Sequence, residues 1–206
     1  MSWHLVDGVP LPDPVAGHPA LDFCNTRAGW GEPLPKEYLT TPTALTLWAV
    51  DAGLIPAADP TIGPATGSAT GSAAAGQVAV LTAALAVREA LHDAALDVAD
   101  PGAWDLLGHW AGRARTASRL LPGAGGAPAR WELDPDRRDD PELPLLAVAA
   151  AADAFLTSPL ATAVAACPGV GCGWLFTDPR HRRRWCSMAV CGNRAKARRH
   201  ADRRTG

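Results

Sequence analysis

Apolar positions along the chain fall into two kinds of block. Short apolar stretches at Trp3 to Val6 and Ala20 to Cys24 lie within forty residues rich in proline and glycine, and their length suits brief strands. From Thr41 the period becomes helical. Thr41-Pro42 offers an N-cap followed by proline at the first helical position, and Leu45, Trp48, Ala49 and Ala52 recur on one side before Gly53 stops the run. Residues 56–76 (PAADPTIGPATGSATGSAAAG) hold too little apolar surface to order themselves, which predicts a disordered loop.

A long helix is predicted from about Gln77 to Ala99, with Val78, Leu81, Ala84, Leu85, Leu91 and Leu96 as its apolar stripe. Asp100-Pro101 caps a second helix that runs to about Leu121 and turns Trp104, Leu107, Trp110, Ala111 and Ala114 inward. Arg130-Trp131-Glu132-Leu133 alternates as a short strand does. Asp140-Pro141-Glu142 opens an alanine-rich helix to about Ser158, and a last short helix spans Pro159 to Ala166. The fold class expected is mainly α with minor β (α+β): a helical body over residues 1–160 and a small module over 161–206, with no internal repeat.

Charge divides the chain near the same place. Residues 167–206 carry ten Arg and Lys against Asp178 and Asp202, a net +8, whereas residues 1–166 carry nine basic and nineteen acidic side chains, a net −10. An acidic body with a basic tail points to a polyanionic partner for the tail; mutual attraction of the two halves is the alternative. Hydrophobic residues make up 48% of the 206, and no apolar run reaches the roughly 18 residues that would suggest a membrane span. Met1-Ser2-Trp3-His4 lacks the basic then apolar pattern of a secretory signal, which implies a soluble, cytoplasmic protein with reduced cysteines. Four of the five cysteines crowd into 167–191, favouring metal over disulfides.

Their pattern is Cys167-x4-Cys172, thirteen intervening residues, then Cys186-x4-Cys191. Two close thiolate pairs separated by a hairpin-sized gap can close tetrahedrally on one Zn2+. Pro168, Gly169, Gly171 and Gly173 permit a tight first turn. Trp174-Leu175-Phe176-Thr177 is β-prone ahead of the Asp178-Pro179 turn, and Arg182 to Trp185 offers a second strand. A helix from about Ser187 to Arg203 would then start at the second pair, giving a treble-clef-like zinc fold. So small a module needs a structural metal, and four sulfur ligands leave no position for a catalytic water. Cys24 reads as a buried core residue.

The run Cys172-Gly-Trp-Leu-Phe-Thr-Asp, followed by Arg182-Arg-Arg-Trp-Cys186-Ser-Met-Ala-Val-Cys191-Gly-Asn-Arg-Ala-Lys, resembles the CGNR zinc finger, named for the residues here at Cys191, Gly192, Asn193 and Arg194. Gly17-His-Pro-Ala-Leu-Asp-Phe-Cys-Asn-Thr26 is similar to the opening motif of the ABATE domain that accompanies this finger, with Cys24 where valine is more usual. The two resemblances together cover nearly the whole chain. They imply a bacterial protein classed as a stress-induced transcription regulator, and so DNA as a partner.

At 100° per residue, Lys196, Arg199 and Arg203 share one ridge of the last helix and Arg194 and Arg198 a second, with Arg182, Arg183 and Arg184 beside them. Arginine forks match phosphate oxygens and guanine edges, which makes these eight the candidate nucleic-acid contacts; RNA, a protein partner or plain solubility are the competing uses. Asn193 and Arg194 have a second reading, as side chains that tie the hairpin to the helix beside the metal. Trp174 and Trp185 can stack on bases or fill the module's core.

In the body, Asp22, Asn25 and Thr26 follow a short apolar stretch and are candidates for a ligand pocket or for turn caps, with Arg88 a candidate interior partner of Asp22. The ligand is unspecified, and homodimerisation is a second use for the body. No phosphate loop, metalloprotease pair or nucleophile elbow occurs, and His18, His92 and His109 lack partners at informative spacing, so no enzymatic activity is expected.

Overall fold

The computed structural model of the protein describes residues 2–57 and 71–205. Of the loop predicted over 56–76, residues 58–70 lie outside the described residues, and from Ser72 onward the chain is already helical.

The body is built on three packed helices, α3 (Ser72–Ala95), α4 (Pro101–Thr116) and α5 (Leu143–Leu156), with α1 (Pro19–Cys24) and α2 (Pro42–Asp51) against them. Local capping sets most starts. Thr41 Oγ1 accepts the Ala44 N–H at 3.1 Å and Asp100 Oδ1 accepts that of Ala103 at 2.8 Å, each with proline at the next position. Val87, Leu91, Leu145, Val148 and Phe155 are fully buried at the centre. α3 is long and apolar enough, at mean hydropathy 1.3, to meet the length and composition of a membrane span. No uninterrupted apolar run of that length lies within it, because Gln77, Thr82, Arg88, Glu89, His92 and Asp93 break the stretch. The helix's second half packs against α1, α4 and α5 and buries Arg88.

Among the described residues, four two-stranded antiparallel ribbons complete the fold. β1 (Trp3–Val6) pairs with β2 (Val9–Pro12), and β3 (Arg27–Ala28) with β4 (Lys36–Glu37). β5 (Ser118–Leu121) pairs with β6 (Arg130–Leu133), placing Leu120 opposite Trp131. β7 (Val164–Ala166) pairs with β8 (Leu175–Thr177), placing Ala165 opposite Phe176.

Four elements differ from the sequence expectation. Ala20 to Cys24 is helical, not extended: His18 Nδ1 accepts the Ala20 N–H at 3.2 Å and Pro19 takes the first helical position. Four of its six residues are buried, so no polar face betrays the period. α4 ends at Thr116, because residues 118–121 leave it to pair with β6. The helix over Pro159 to Ala166 is a 3-10 turn only to Ala163 before becoming β7. β8 therefore takes its partner from ahead of the first cysteine, and Arg182 to Trp185 forms no strand. There the Asp178 carboxylate accepts the Arg182 and Arg183 N–H groups at 2.9 and 3.0 Å, which satisfies the amides a strand would have paired.

Candidate metal centre and its basic face

Cys167 leaves β7 into a tight knuckle, where the Cys167 N–H donates to Trp174 O at 2.8 Å and the Cys172 N–H to Gly169 O at 2.9 Å. Cys186 precedes a π-helical turn over Met188–Gly192 that carries Cys191 and runs into α6 (Asn193–Thr205). The wide turn lets Cys191 face back towards Cys186. All four sulfurs lie within 4.8 Å of one another and are buried, and the Cys172–Cys186 and Cys186–Cys191 separations are both 3.7 Å. A tetrahedron of sulfurs about 2.3 Å from zinc has an edge of about 3.8 Å, so the donor set fits that ion in type, number and spacing. The surroundings leave no slack: a Cβ on Gly169 would sit 3.1 Å from Cys191 Sγ and 3.4 Å from Cys167 Sγ.

Crowding also shapes the thiols. Hydrogen bonds from the Cys172 and Cys186 thiols hold Cys167 well below the usual thiol range, while the charge and acceptor demand of Cys167 push Cys172 and Cys186 up. A bound divalent cation would supply the charge that lets all four remain thiolates. Arg194 adds to this, its guanidinium donating to Cys191 Sγ at 3.3 Å, a bond that raises its own pKa. Asn193 Nδ2 donates to Ala189 O at 3.1 Å, bracing the π-helical turn.

The module is not packed on itself alone. Trp174 and Phe176 form its core together with the four cysteines and with Ala28 and Tyr38 of the body. Asn25 Nδ2 donates to Leu175 O at 2.9 Å while the Leu175 N–H donates to Asn25 Oδ1 at 2.8 Å, so one side chain acts as a third strand beside β8. Further bonds run from Trp174 Nε1 to Arg27 O (3.1 Å), from the Gly29 N–H to Cys172 O (2.9 Å) and from the Thr177 N–H to Ala16 O (2.8 Å). Gly173, at φ +67°, lies where a Cβ would come within 2.7 Å of Trp30 Cβ.

The four candidate pocket residues are thus mostly spent inside the protein. Asp22 Oδ1 accepts the Val15 and Ala16 N–H groups at 2.9 Å each, shaping the loop that meets Thr177. Asp22 makes no pair with Arg88. Arg88 is 2% exposed and forks onto Glu37 at 2.8 and 2.5 Å, with Thr26 Oγ1 at 2.9 Å. Thr26 Oγ1 itself donates to Phe23 O at 2.7 Å. Asn25, Thr26 and Arg88 are buried, and the clefts of about 810, 470 and 380 Å3 take none of the four into their lining. Glu37, the true partner of Arg88, stands 51 positions away with no spacing signal to reveal it. Trp30 was likewise unmarked: it stacks on His92 with ring centroids 3.6 Å apart and donates from Nε1 to Cys24 O at 3.3 Å. Asp178 was legible, since Asp-Pro after a strand is a turn signal.

Of the eight basic candidates, Arg183 stands apart. Its guanidinium donates to Val15 O at 2.9 Å and to Cys186 O at 2.7 Å and lies 4.5 Å over the Phe176 ring, which makes it a cross-link between body and module. Arg184 lies over Trp185 at 5.3 Å, and Arg182 and Arg184 are exposed. Among the described residues of α6 only Ala195 is buried, and the helix packs chiefly on the π-helical turn. Arg194, Lys196, Arg198, Arg199 and Arg203 are exposed along it, and among the described residues no carboxylate pairs with Lys196, Arg199 or Arg203.

Two family models match the chain. One, ABATE, described as "Putative stress-induced transcription regulator", matches residues 17–159. The other, described as CGNR zinc finger, matches residues 164–204. No curated protein matches the chain.

Proposed function

This chain belongs to the ABATE family and carries a CGNR zinc finger, and from that footing we propose that it is a cytoplasmic transcription regulator that binds duplex DNA through the basic face of its zinc module. The family and the four-cysteine cluster make it a zinc-binding regulatory protein. One observation carries the finer reading: α6 stands out from the metal cluster with Lys196, Arg199 and Arg203 exposed along one ridge, held by the Cys191–Arg194 contact at its base. Arginine and lysine at that spacing follow a phosphate backbone, and a narrow 13-residue helix fits a major groove about 12 Å wide. One Zn2+, held by Cys167, Cys172, Cys186 and Cys191, would be structural. It would fix the angle at which α6 leaves the body, while the body's contacts from Asn25 and Trp30 fix the module.

The reading is tested by titrating the zinc-loaded chain with duplex DNA, single-stranded RNA and heparin at equal charge concentration. Preference for duplex DNA over both supports it. Preference for single-stranded RNA moves the function to an RNA-binding adaptor, and no nucleic-acid binding at low salt leaves the basic face to a protein partner.

A further inference from the structure

A sizeable cavity lies away from the metal module. It is a cleft of about 810 Å3 between the end of α2, the β5–β6 ribbon and α5. Such a volume lies within the range of sites that hold small organic molecules. One wall is apolar, formed by Leu54, Ile55 and Leu143 with Ala147, Ala150 and Ala151 of α5. α5 presents Leu145, Leu146, Val148 and Phe155 to the core together with Ala149 and Ala152, and on the cleft side the small side chains of Ala147, Ala150 and Ala151 leave room between α5 and the ribbon.

The rim is polar and unevenly charged. Arg119 is engaged by Asp134 and Asp136 at 2.6 and 3.0 Å, and Glu132 is engaged by Arg130 at 2.6 Å. Arg138 also lines the cleft, is exposed, and makes no ion pair among the described residues. Beside it Trp131 is 49% exposed, with the Arg115 guanidinium 4.8 Å from its ring centroid. An apolar wall, an accessible indole and one uncompensated cation converge on a single hollow.

We propose that this cleft is a binding site for a small aromatic organic anion, whose ring system packs between Trp131 and the alanines of α5 and whose anionic group meets Arg138. Aromatic surface stacks on indole, and a carboxylate or sulfonate gains a charge-assisted, forked contact from guanidinium. The site shares no residue with the zinc module, so it stands or falls separately from DNA binding.

The test uses 8-anilinonaphthalene-1-sulfonate as probe on the zinc-loaded full chain. One probe molecule should bind per chain with enhanced fluorescence. Arg138→Ala should weaken it about tenfold, and Ala151→Phe, which fills the hollow, by at least as much. The uncharged analogue N-phenyl-1-naphthylamine should bind the parent and the Arg138→Ala variant alike. Arg138 is exposed and its side chain is unpaired among the described residues, so its variant decides the matter even if Ala151→Phe fails to fold. The proposal is overturned if the probe does not saturate at one per chain, if Arg138→Ala leaves its affinity unchanged, or if alanine at Lys196, Arg199 and Arg203 abolishes the signal, which would place the probe on the basic helix.

Discussion

Asn25 and Leu175 lie 150 positions apart and exchange two hydrogen bonds, the side-chain amide of one completing both backbone valences of the other. Both residues are buried, so neither group has water to fall back on. Asn25→Ala would strand an N–H and a C=O, and each such loss costs about 1–3 kcal/mol. The zinc-loaded variant should unfold with about 2–4 kcal/mol less stability in chemical denaturation. Asn25→Asp keeps the acceptor and loses the donor, and adds a buried charge, so it should be no better than alanine. A loss under about 0.5 kcal/mol would mean that the module is not seated on the body this way.

Gly173 and Gly53 separate two kinds of glycine constraint. Both have positive φ, +67° and +68°, but a Cβ at Gly53 meets nothing within 4 Å whereas one at Gly173 meets Trp30 Cβ at 2.7 Å. Gly53→Ala should cost only the backbone term, about 1 kcal/mol. Gly173→Ala should cost at least about twice that and should also raise the rate at which a chelator strips the metal, because the knuckle carrying Cys172 must shift. Equal effects of the two substitutions on melting and on metal loss would contradict the close packing of Trp30 against the knuckle.

Metal removal should reach beyond the module. Ala28 and Tyr38 of the body share a core with the four cysteines, so removing the ion that joins the thiolates should also weaken β3–β4. Chelation of the zinc-loaded chain, or Cys186→Ser, is expected to lower the melting temperature of the helical signal by at least about 10 °C. If the helical transition does not move while zinc is lost, body and module are independent.

Burial pushes the Asp22 carboxyl up to about 6, against the two N–H groups from Ala16 and Val15 and the nearby Arg183 that pull it down. In the unfolded chain the same carboxyl titrates near 3.9. The folded state therefore holds the proton more tightly. Above pH 6 the ionised group costs stability, and that cost is relieved as pH falls from about 6 towards about 4. Asp22→Asn keeps an oxygen for both amides without the charge. It should be more stable than the parent by about 1 kcal/mol at pH 7.5, and its advantage should shrink by pH 5. A difference independent of pH over that range would show that Asp22 is not held up by burial.

Much of this was legible in the sequence, and what was not has physical causes. The starts of α2 and α4 were visible because Thr41-Pro42 and Asp100-Pro101 are local signals that act within four residues. The four cysteines were visible because metal ligation imposes spacing. α1 was misread since a buried six-residue helix shows no polar face, and β8 was paired with the wrong segment because strand partners are chosen by tertiary contact. The polar residues of the opening motif read either as pocket residues or as turn caps; Asp22 caps a local loop and Asn25 holds Leu175, so both organise the seat of the module, a role set by a partner more than 100 positions away in one case and by a local loop in the other. Arg183 looked like a free cation in the sequence, and only the structure shows its guanidinium already bonded to Val15 and Cys186.

The exposed ridge of α6 is proposed to meet phosphates of duplex DNA. The most direct measurement is the salt dependence of duplex affinity for the zinc-loaded chain and for its Lys196→Ala, Arg199→Ala, Arg203→Ala variant. With about six phosphate contacts, the slope of log affinity against log salt should lie near −5 for the parent, and losing three contacts should make it shallower by about 2.7. No DNA binding at low salt, or an unchanged slope and affinity in the triple variant, would contradict the claim.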